Sequence, residues 1–330
     1  MNEKKERLIF DVAYQPQIRA ERDTAWLMLT VIIAILPSVA VAVFQFGLRP
    51  LITVLISAAS CVFFEWGYRK LMKKSSSVGD LSAVVTGMLL AMVLPVDVPY
   101  YLPVVGSFFA IVVVKQLYGG IGKNFLNPAL AGRAFLLACY ALTMGIWVTP
   151  KGLLMDVDAA TMATPLSCLY GGSALPEYYS KLNLFIGNRP GCIGDLSILA
   201  ALLGAAVLLI GKVIDWRIPV STIGTVALLT LIFGREGYGN AEWMEYNLLS
   251  GGLVFAAFFM ATDYATSPVT AWGRVLYGFG IGALTVLIRY FGGYPEGVSY
   301  AILIMNLCSW AIDKLCRRRQ FGAVKKEAEA

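Results

Sequence analysis

The chain has 330 residues, 58% of them hydrophobic and 15% charged, with a mean hydropathy of +0.69 and a formal net charge of +6 at pH 7. Apolar runs this long and numerous exclude an ordinary soluble core and indicate a polytopic membrane protein. The basic excess sits in short segments between those runs, a membrane pattern rather than a nucleic-acid footprint, and with no histidine and no C-x-x-C pair among six cysteines, a zinc, haem or cysteine-cluster site within this chain is not expected.

Residues 1–23 form a charged N-terminal segment in which Lys4, Lys5, Arg7, Arg19 and Arg22 are mixed with acids. It lacks the form of a cleavable signal, so residue 1 onward is expected to be mature protein. Apolar stretches of about the ~20 residues that cross ~30 Å of hydrocarbon follow, at roughly 24–46, 50–68, 80–98, 100–118, 128–149, 192–212, 216–234, 245–262, 272–291 and 297–313. Without water to satisfy backbone groups these are expected to be helices, or broken helices packed against protein; the alternation of an outer-membrane barrel is absent. The expected fold class is therefore all-α, with about ten transmembrane helices. Residues 150–191 form the one long polar connection, and 314–330 a basic tail.

The spans divide into two groups of five, 24–149 and 192–313. Thr86–Met92 can be laid on Gly251–Ala257, and Leu117-Tyr118-Gly119-Gly120 echoes Tyr290-Phe291-Gly292-Gly293. An odd number of helices per copy forces the second to insert upside down, the inverted-repeat plan of many transporters, although short matches among Gly/Ala/Leu helices also arise by chance. Small residues such as Gly251, Gly252, Ala256 and Ala257 are read mainly as close-packing positions.

Orientation follows from charge. Most of the 27 Lys and Arg fall in the two termini and in alternate loops (Arg69, Lys70, Lys73, Lys74; Lys115, Lys123; Lys212, Arg217; Arg274). The opposite side collects only Arg49, Lys151, Lys181, Arg189, Arg235 and Arg289. The positive-inside bias then makes both termini cytoplasmic and the 150–191 loop extracytoplasmic. Cys168 and Cys192 could pair if that loop faces an oxidising space, with free thiols the preferred reading.

Asn127-Pro128 suits a helix start, since Asn caps free N–H groups and Pro loses nothing in the first turn; such a terminus attracts an anion or reduced ring, or is a capped helix and nothing more. Arg133 lies inside a span, where a guanidinium is costly unless it meets a carboxylate or a phosphate. Glu65, Asp97 and Asp263 are the acids nearest the bilayer on helices. Asp97 reads as interfacial, Glu65 and Asp263 as pairing or ion-path groups. Trp66, Tyr68, Tyr100, Tyr101, Trp147, Trp216 and Trp272 cluster at span ends as an interfacial belt, from which some could stack on a planar ring.

The sharpest motif is Asp158-Ala-Ala-Thr161-Met-Ala163-Thr164-Pro165, in the long loop. By itself it reads as a turn in which Asp158 and Thr161 bond nearby backbone. It resembles the Asp-x-x-Ser/Thr-Gly-Ala-Thr motif at which a flavin transferase joins the phosphate of FMN to the last threonine, with Met162 in place of glycine, which permits backbone conformations methionine resists. Two further runs accompany it, Gly119-Gly120-Ile-Gly122-Lys123-Asn124-Phe-Leu-Asn127-Pro128-Ala-Leu-Ala-Gly132-Arg133 and Phe259-Met-Ala-Thr262-Asp263-Tyr-Ala-Thr-Ser-Pro268. Together, over nearly the whole chain, these resemble the D subunit of the Rnf complex, the ion-translocating ferredoxin:NAD oxidoreductase, itself similar to the B subunit of the sodium-pumping NADH:quinone oxidoreductase.

The resemblance implies a prokaryotic inner-membrane subunit carrying FMN covalently on Thr164, a second, non-covalent flavin (riboflavin), coupling to Na⁺ or H⁺, and a fold similar to urea transporters. It makes Asp158, Thr161, Ala163, Pro165, Asn124, Asn127, Arg133, Thr262 and Asp263 candidate cofactor-binding residues beside Thr164. The implied partners are the other membrane and peripheral subunits of the complex, with flavin and iron–sulfur centres, and the lipid bilayer, with no nucleic acid. No nucleotide-binding glycine pattern follows a strand, so a dinucleotide is expected to bind a partner. The rival readings are an inverted-repeat solute channel or secondary transporter without redox cofactor, and a membrane scaffold whose partners hold every cofactor.

Overall fold

The computed structural model describes residues 23–75, 77–150, 162–171, 175–176, 179–235, 237–293 and 296–316. The N-terminal segment, Asp158, Thr161 and the tail beyond 316 lie outside the described residues. In chain order the helices are α1 (Thr24–Phe46), α2 (Arg49–Leu71), α3 (Ser82–Met92), α4 (Tyr101–Phe108, continuing as a π-helix over Phe109–Gln116), α5 (Pro128–Cys139), α6 (Ala141–Met144), α7 (Pro165–Gly171), α8 (Lys181–Ile186), α9 (Ile198–Ile210), α10 (Arg217–Ile232), α11 (Asn240–Leu249), α12 (Leu253–Phe255, continuing as a π-helix over Ala256–Met260), α13 (Ala271–Phe291) and α14 (Val298–Leu315). Among the described residues no strand forms; extended pairing is confined to an isolated antiparallel bridge between Pro95 and Cys192.

Four helices, α1, α2, α13 and α14, are long and apolar enough to cross a membrane. At 1.5 Å per residue the 23 residues of α1 reach about 34 Å. Its start is fixed by Asp23, whose carboxylate accepts from Trp26 N at 2.8 Å. The shorter apolar helices Ser82–Met92, Tyr101–Gln116, Pro128–Cys139, Ile198–Ile210 and Arg217–Ile232 occupy positions where the sequence predicts full spans.

Several of those predicted spans are broken, for identifiable reasons. The 80–98 run becomes an 11-residue helix, about 16 Å long, because the chain turns out before Pro95. The carbonyls this frees find new donors: Met92 O accepts from Gly194 N (2.7 Å) and Leu94 O from Ile193 N (3.1 Å). The 192–212 run accordingly begins with a bridge at Cys192 and a turn over 193–195, and becomes helical only at Ile198, where Ser197 caps Ala200 N at 3.2 Å. The 245–262 run is interrupted after Leu249. Gly251 there adopts a left-handed φ of 73°, open to glycine but strained for other residues. So Gly251 and Gly252, expected as packing positions, form a break instead, and a side chain on Gly252 would strike the Asp195 carboxylate. Close packing by glycine occurs elsewhere: Gly87 of α3 lies against Ser57 and Ala58 of α2, and Ser57 Oγ donates to Gly87 O at 2.7 Å.

Arg189 holds the breaks together. Its guanidinium, 2% exposed, donates to the carbonyls of Leu196 (3.2 Å), Asp195, Leu249 and Gly251 (3.3 Å). Charge counting places Arg189 and Arg289 among loop residues; in the structure both are buried. Lys115, counted with the loop after the fourth span, is buried too. Its Nζ lies 2.7 Å from Glu65 Oε2 and 2.6 Å from Ser82 Oγ, and Ser77 Oγ completes the carboxylate's partners. Glu65 is therefore a pairing group, while Asp97 forms an exposed ion pair with Arg49 at 2.8 Å. Cys168 and Cys192 are buried free thiols.

The segments that charge counting groups together do meet at one rim. The start of α1, the turn at Ile121–Gly122, Asp263–Val269 and the end of α14 line one opening there, and Lys212–Arg217 joins the same 262–269 turn. Removing one partner of the Glu65–Lys115 pair leaves a buried charge, so Lys115→Met is expected to cost about 3–5 kcal/mol. The double substitution Glu65→Gln/Lys115→Met should recover most of that, as read by denaturant unfolding of the detergent-solubilised chain.

Candidate functional site

Two cavities carry the residues that sequence reasoning singles out. The first, of about 90 Å³, lies between α1, α3, the π-segments and the start of α5, and its walls include Asn124, Asn127, Lys115, Thr262, Asp263 and Phe259. Asn127 shapes it. Its side-chain oxygen accepts from Ala129 N (3.0 Å) and Leu130 N (3.3 Å), the expected cap, and its amide nitrogen donates to Met260 O at 3.2 Å. That second bond satisfies a carbonyl at the end of the π-helix, so one side chain ties the break before α5 to the break after α12. Asn124 Oδ1 is buried here without a hydrogen-bond partner, an acceptor that a donor group in the cavity would satisfy. Asp263 receives Ala265 N (3.4 Å) and Thr266 Oγ1 (3.2 Å), while Thr262 Oγ1 turns back to Phe258 O at 2.6 Å.

The second cavity, of about 170 Å³, lies toward the opposite rim and is lined by Pro95, Arg133, Leu137, Met144, Trp147, Thr164, Ser167, Glu296, Ser299 and Tyr300 among others. Thr164 and Arg133, 31 positions apart in the chain, thus share one space. Arg133 pairs with Glu296, donates to Ser299 Oγ at 2.9 Å and reaches Cys192 Sγ at 3.5 Å. The expectation that it meets a carboxylate holds. Thr164 precedes α7, where its Oγ1 accepts from Ser167 N (3.2 Å) and donates to Ser167 Oγ (3.0 Å). The segment leading to it is pinned twice, by Met162 N donating to Trp147 O (3.1 Å) and Tyr179 OH donating to Ala163 O (2.8 Å).

Ala163 is exposed and Pro165 begins α7; neither lines the cavity. Glu296, Ser299 and Tyr300 were not singled out by sequence reasoning. The one signal pointing to them is Arg133 itself, since an intramembrane guanidinium demands an acid somewhere. Cys192, Asp195 and Glu296 bring potential metal-ligand atoms within 4.8 Å of one another, but the Arg133 guanidinium already stands beside them as the compensating cation.

The cavities are close to each other. Asn127 and Pro128 border the first and Arg133 the second, and six residues of helical rise correspond to about 9 Å along α5.

Residues 11–322 match the profile of the NQR2, RnfD, RnfE family. The chain is 46% identical, over 97% of its length and 98% of the relative's, to the D subunit of the Na(+)-translocating ferredoxin:NAD(+) oxidoreductase complex of Acetobacterium woodii. It is 40% identical, over 95% of its length and 96% of the relative's, to the D subunit of the proton-translocating ferredoxin:NAD(+) oxidoreductase complex of Clostridium ljungdahlii. The D subunit of an ion-translocating oxidoreductase complex of Shewanella amazonensis is 36% identical over 96% of this chain and 99% of its own.

Because Asn127 both caps α5 and serves Met260 O, Asn127→Ala is expected to cost about 2–3 kcal/mol, the cap and the orphaned carbonyl together. Asn127→Ser keeps a capping acceptor and loses only the second bond, so its unfolding midpoint should fall between wild type and Asn127→Ala.

Proposed function

This chain belongs to the NQR2, RnfD, RnfE family, and from that premise we propose that it is the membrane subunit of an ion-translocating ferredoxin:NAD oxidoreductase, carrying electrons through FMN esterified to Thr164. The observation that carries the reading is the shared cavity: Thr164 lines the same space as the intramembrane Arg133.

The residues suit the group. Arg133 and Ser299 offer donors to a phosphodiester, and Trp147 and Tyr300 offer flat apolar surface to a ring. At about 170 Å³ the cavity is smaller than the roughly 300–1,000 Å³ of typical small-molecule pockets, so it takes part of such a group and leaves the rest at the rim. When bound, the flavin would supply reversible electron transfer, which no side chain here provides. The chain's own part is to fix the attachment point through Trp147 O and Tyr179, to set a cation beside it, and to shield it from water. The cavity bordered by Asn124, Asn127, Thr262 and Asp263, at about 90 Å³, is too small to enclose a whole second flavin; the unpartnered Asn124 Oδ1 would accept from the edge of a non-covalent one such as riboflavin. Negative charge arriving in either cavity is costly in a low dielectric, which favours compensation by Na⁺ or H⁺.

The wider plan is part of the same reading: about ten spans in two inverted five-helix halves, 24–149 and 192–313, similar to urea transporters, in the inner membrane with both termini cytoplasmic. Supporting it, α1 packs against α9, the first helix of each half, α2 packs on α4 as α10 does on α13, and each half has a short third helix followed by a break. By charge, the Thr164 rim is the extracytoplasmic one.

Wild-type chain produced in a host with flavin transferase is expected to give a fluorescent band under ultraviolet light after denaturing electrophoresis, and Thr164→Ala to abolish it along with ion transport by the complex. A fluorescent Thr164→Ala band would remove the assignment. A dark wild-type band would favour a channel or a cofactor-free scaffold.

A further inference from the structure

The link between α9 and α10, Gly211-Lys212-Val213-Ile214-Asp215-Trp216, borders a cavity of about 420 Å³ that shares Ile214, Thr262 and Tyr264 with the first cavity but adds cations of its own. Three cations line it, Lys212, Arg217 and Arg274, against one carboxylate, Asp215. Asp215 gathers two of them. It lies 2.5 Å from Arg274 Nη1 and 3.5 Å from Arg217 Nη1, and it accepts from Arg217 N at 3.0 Å. Arg274 is further fixed by Nε donating to Pro268 O at 3.1 Å. Lys212 adopts a left-handed φ of 52°, a conformation a lysine takes at a cost, and it has no ion-pair partner among the described residues. The lining therefore carries two uncompensated positive charges.

Its flanks are apolar and outward-facing. Ile210 at the end of α9, Val269, and Trp272 at the start of α13 are 82%, 77% and 79% exposed. Trp216, 58% exposed, stands at the mouth with the Arg217 guanidinium 5.9 Å above its ring. Lipid-facing side chains beside a cationic recess at the end of two membrane helices give a phosphate group a place to bind and its acyl chains a surface to follow.

We propose that this recess binds the headgroup of an anionic glycerophospholipid, with a two-phosphate lipid preferred because its charge matches the net excess of two positive charges. The phosphate oxygens accept from Lys212, Arg217 and Arg274. Asp215 acts as the positioning residue that keeps both arginines turned inward.

The test uses the full-length chain reconstituted in phosphatidylcholine nanodiscs doped with cardiolipin or phosphatidylglycerol, with lipid retained per protein read by mass spectrometry after delipidation. Lys212→Gln/Arg217→Gln should hold cardiolipin roughly thirty-fold more weakly, the factor corresponding to about 1 kcal/mol for each of two basic residues. Arg274 is left in place because it holds the 268 turn. The control Lys70→Gln/Lys74→Gln lowers the net charge equally and should retain lipid as wild type does; an equal loss in that control would overturn the site. Undiminished retention by Lys212→Gln/Arg217→Gln would overturn it as well. Inorganic phosphate bound by wild type in lipid-free detergent and lost in the recess variant would uphold the phosphate site and make a soluble phosphate compound the source. The measurement is independent of the Thr164 assignment, which in-gel fluorescence reads separately.

Discussion

The structure depends on how a chain in hydrocarbon satisfies backbone groups where its helices stop short. A break in the bilayer strands carbonyls and amides that no water can reach, each at a cost of several kcal/mol. The side chain that answers most of this demand is Arg189, whose guanidinium serves carbonyls on either side of two interruptions, at 195–196 and 249–251. Beside it, the turn residues 193–194 meet the carbonyls left by the end of α3. Asn127 plays the same part nearer the other rim, capping its own helix and serving Met260.

These repairs explain why the two cavities lie where they do. Short helices leave gaps between their ends, and gaps lined by polar termini and by side chains recruited to satisfy them are cavities with built-in donors and acceptors. Both cavities adjoin α5, whose first residue borders one and whose Arg133 borders the other. Unbroken helices of 23 residues, like α1 and α2, would fill that space with lipid-like packing and leave no polar site inside.

Three buried cations find a full set of partners, whereas a fourth, Arg289, donates to Asn247 O at 2.8 Å and leaves Nε and Nη2 unmatched. Lys115 meets Glu65, Arg133 meets Glu296, and Arg189 meets carbonyls, with the Asp195 backbone among them. Each arrangement is tolerable in a low dielectric because its hydrogen-bonding capacity is met along with its charge. Charge counting along the chain treats every Lys and Arg near a span end as solvated, and it therefore misassigns Lys115 and Arg289, which lie on helices that carry them inside, and Arg189, which a bend after α8 turns inward. The same counting groups the turns at one rim correctly, because the remaining basic residues outnumber these exceptions.

The sequence by itself determined that the chain is helical and rich in membrane-length apolar runs, that Asn127-Pro128 starts a helix, and that Arg133 needs a partner. These follow from local facts: hydropathy over a window, capping chemistry, and the cost of an isolated charge in lipid. Only the tertiary structure decided where the long apolar runs break, that Glu296 rather than some other acid answers Arg133, and that Thr164 lines their cavity while Asn124, Asn127, Thr262 and Asp263 gather in another. The reason is physical: a hydropathy window sees the length of a run but not the donor from a distant segment that allows it to stop, and residues 133 and 296 meet through packing that no spacing along the chain encodes.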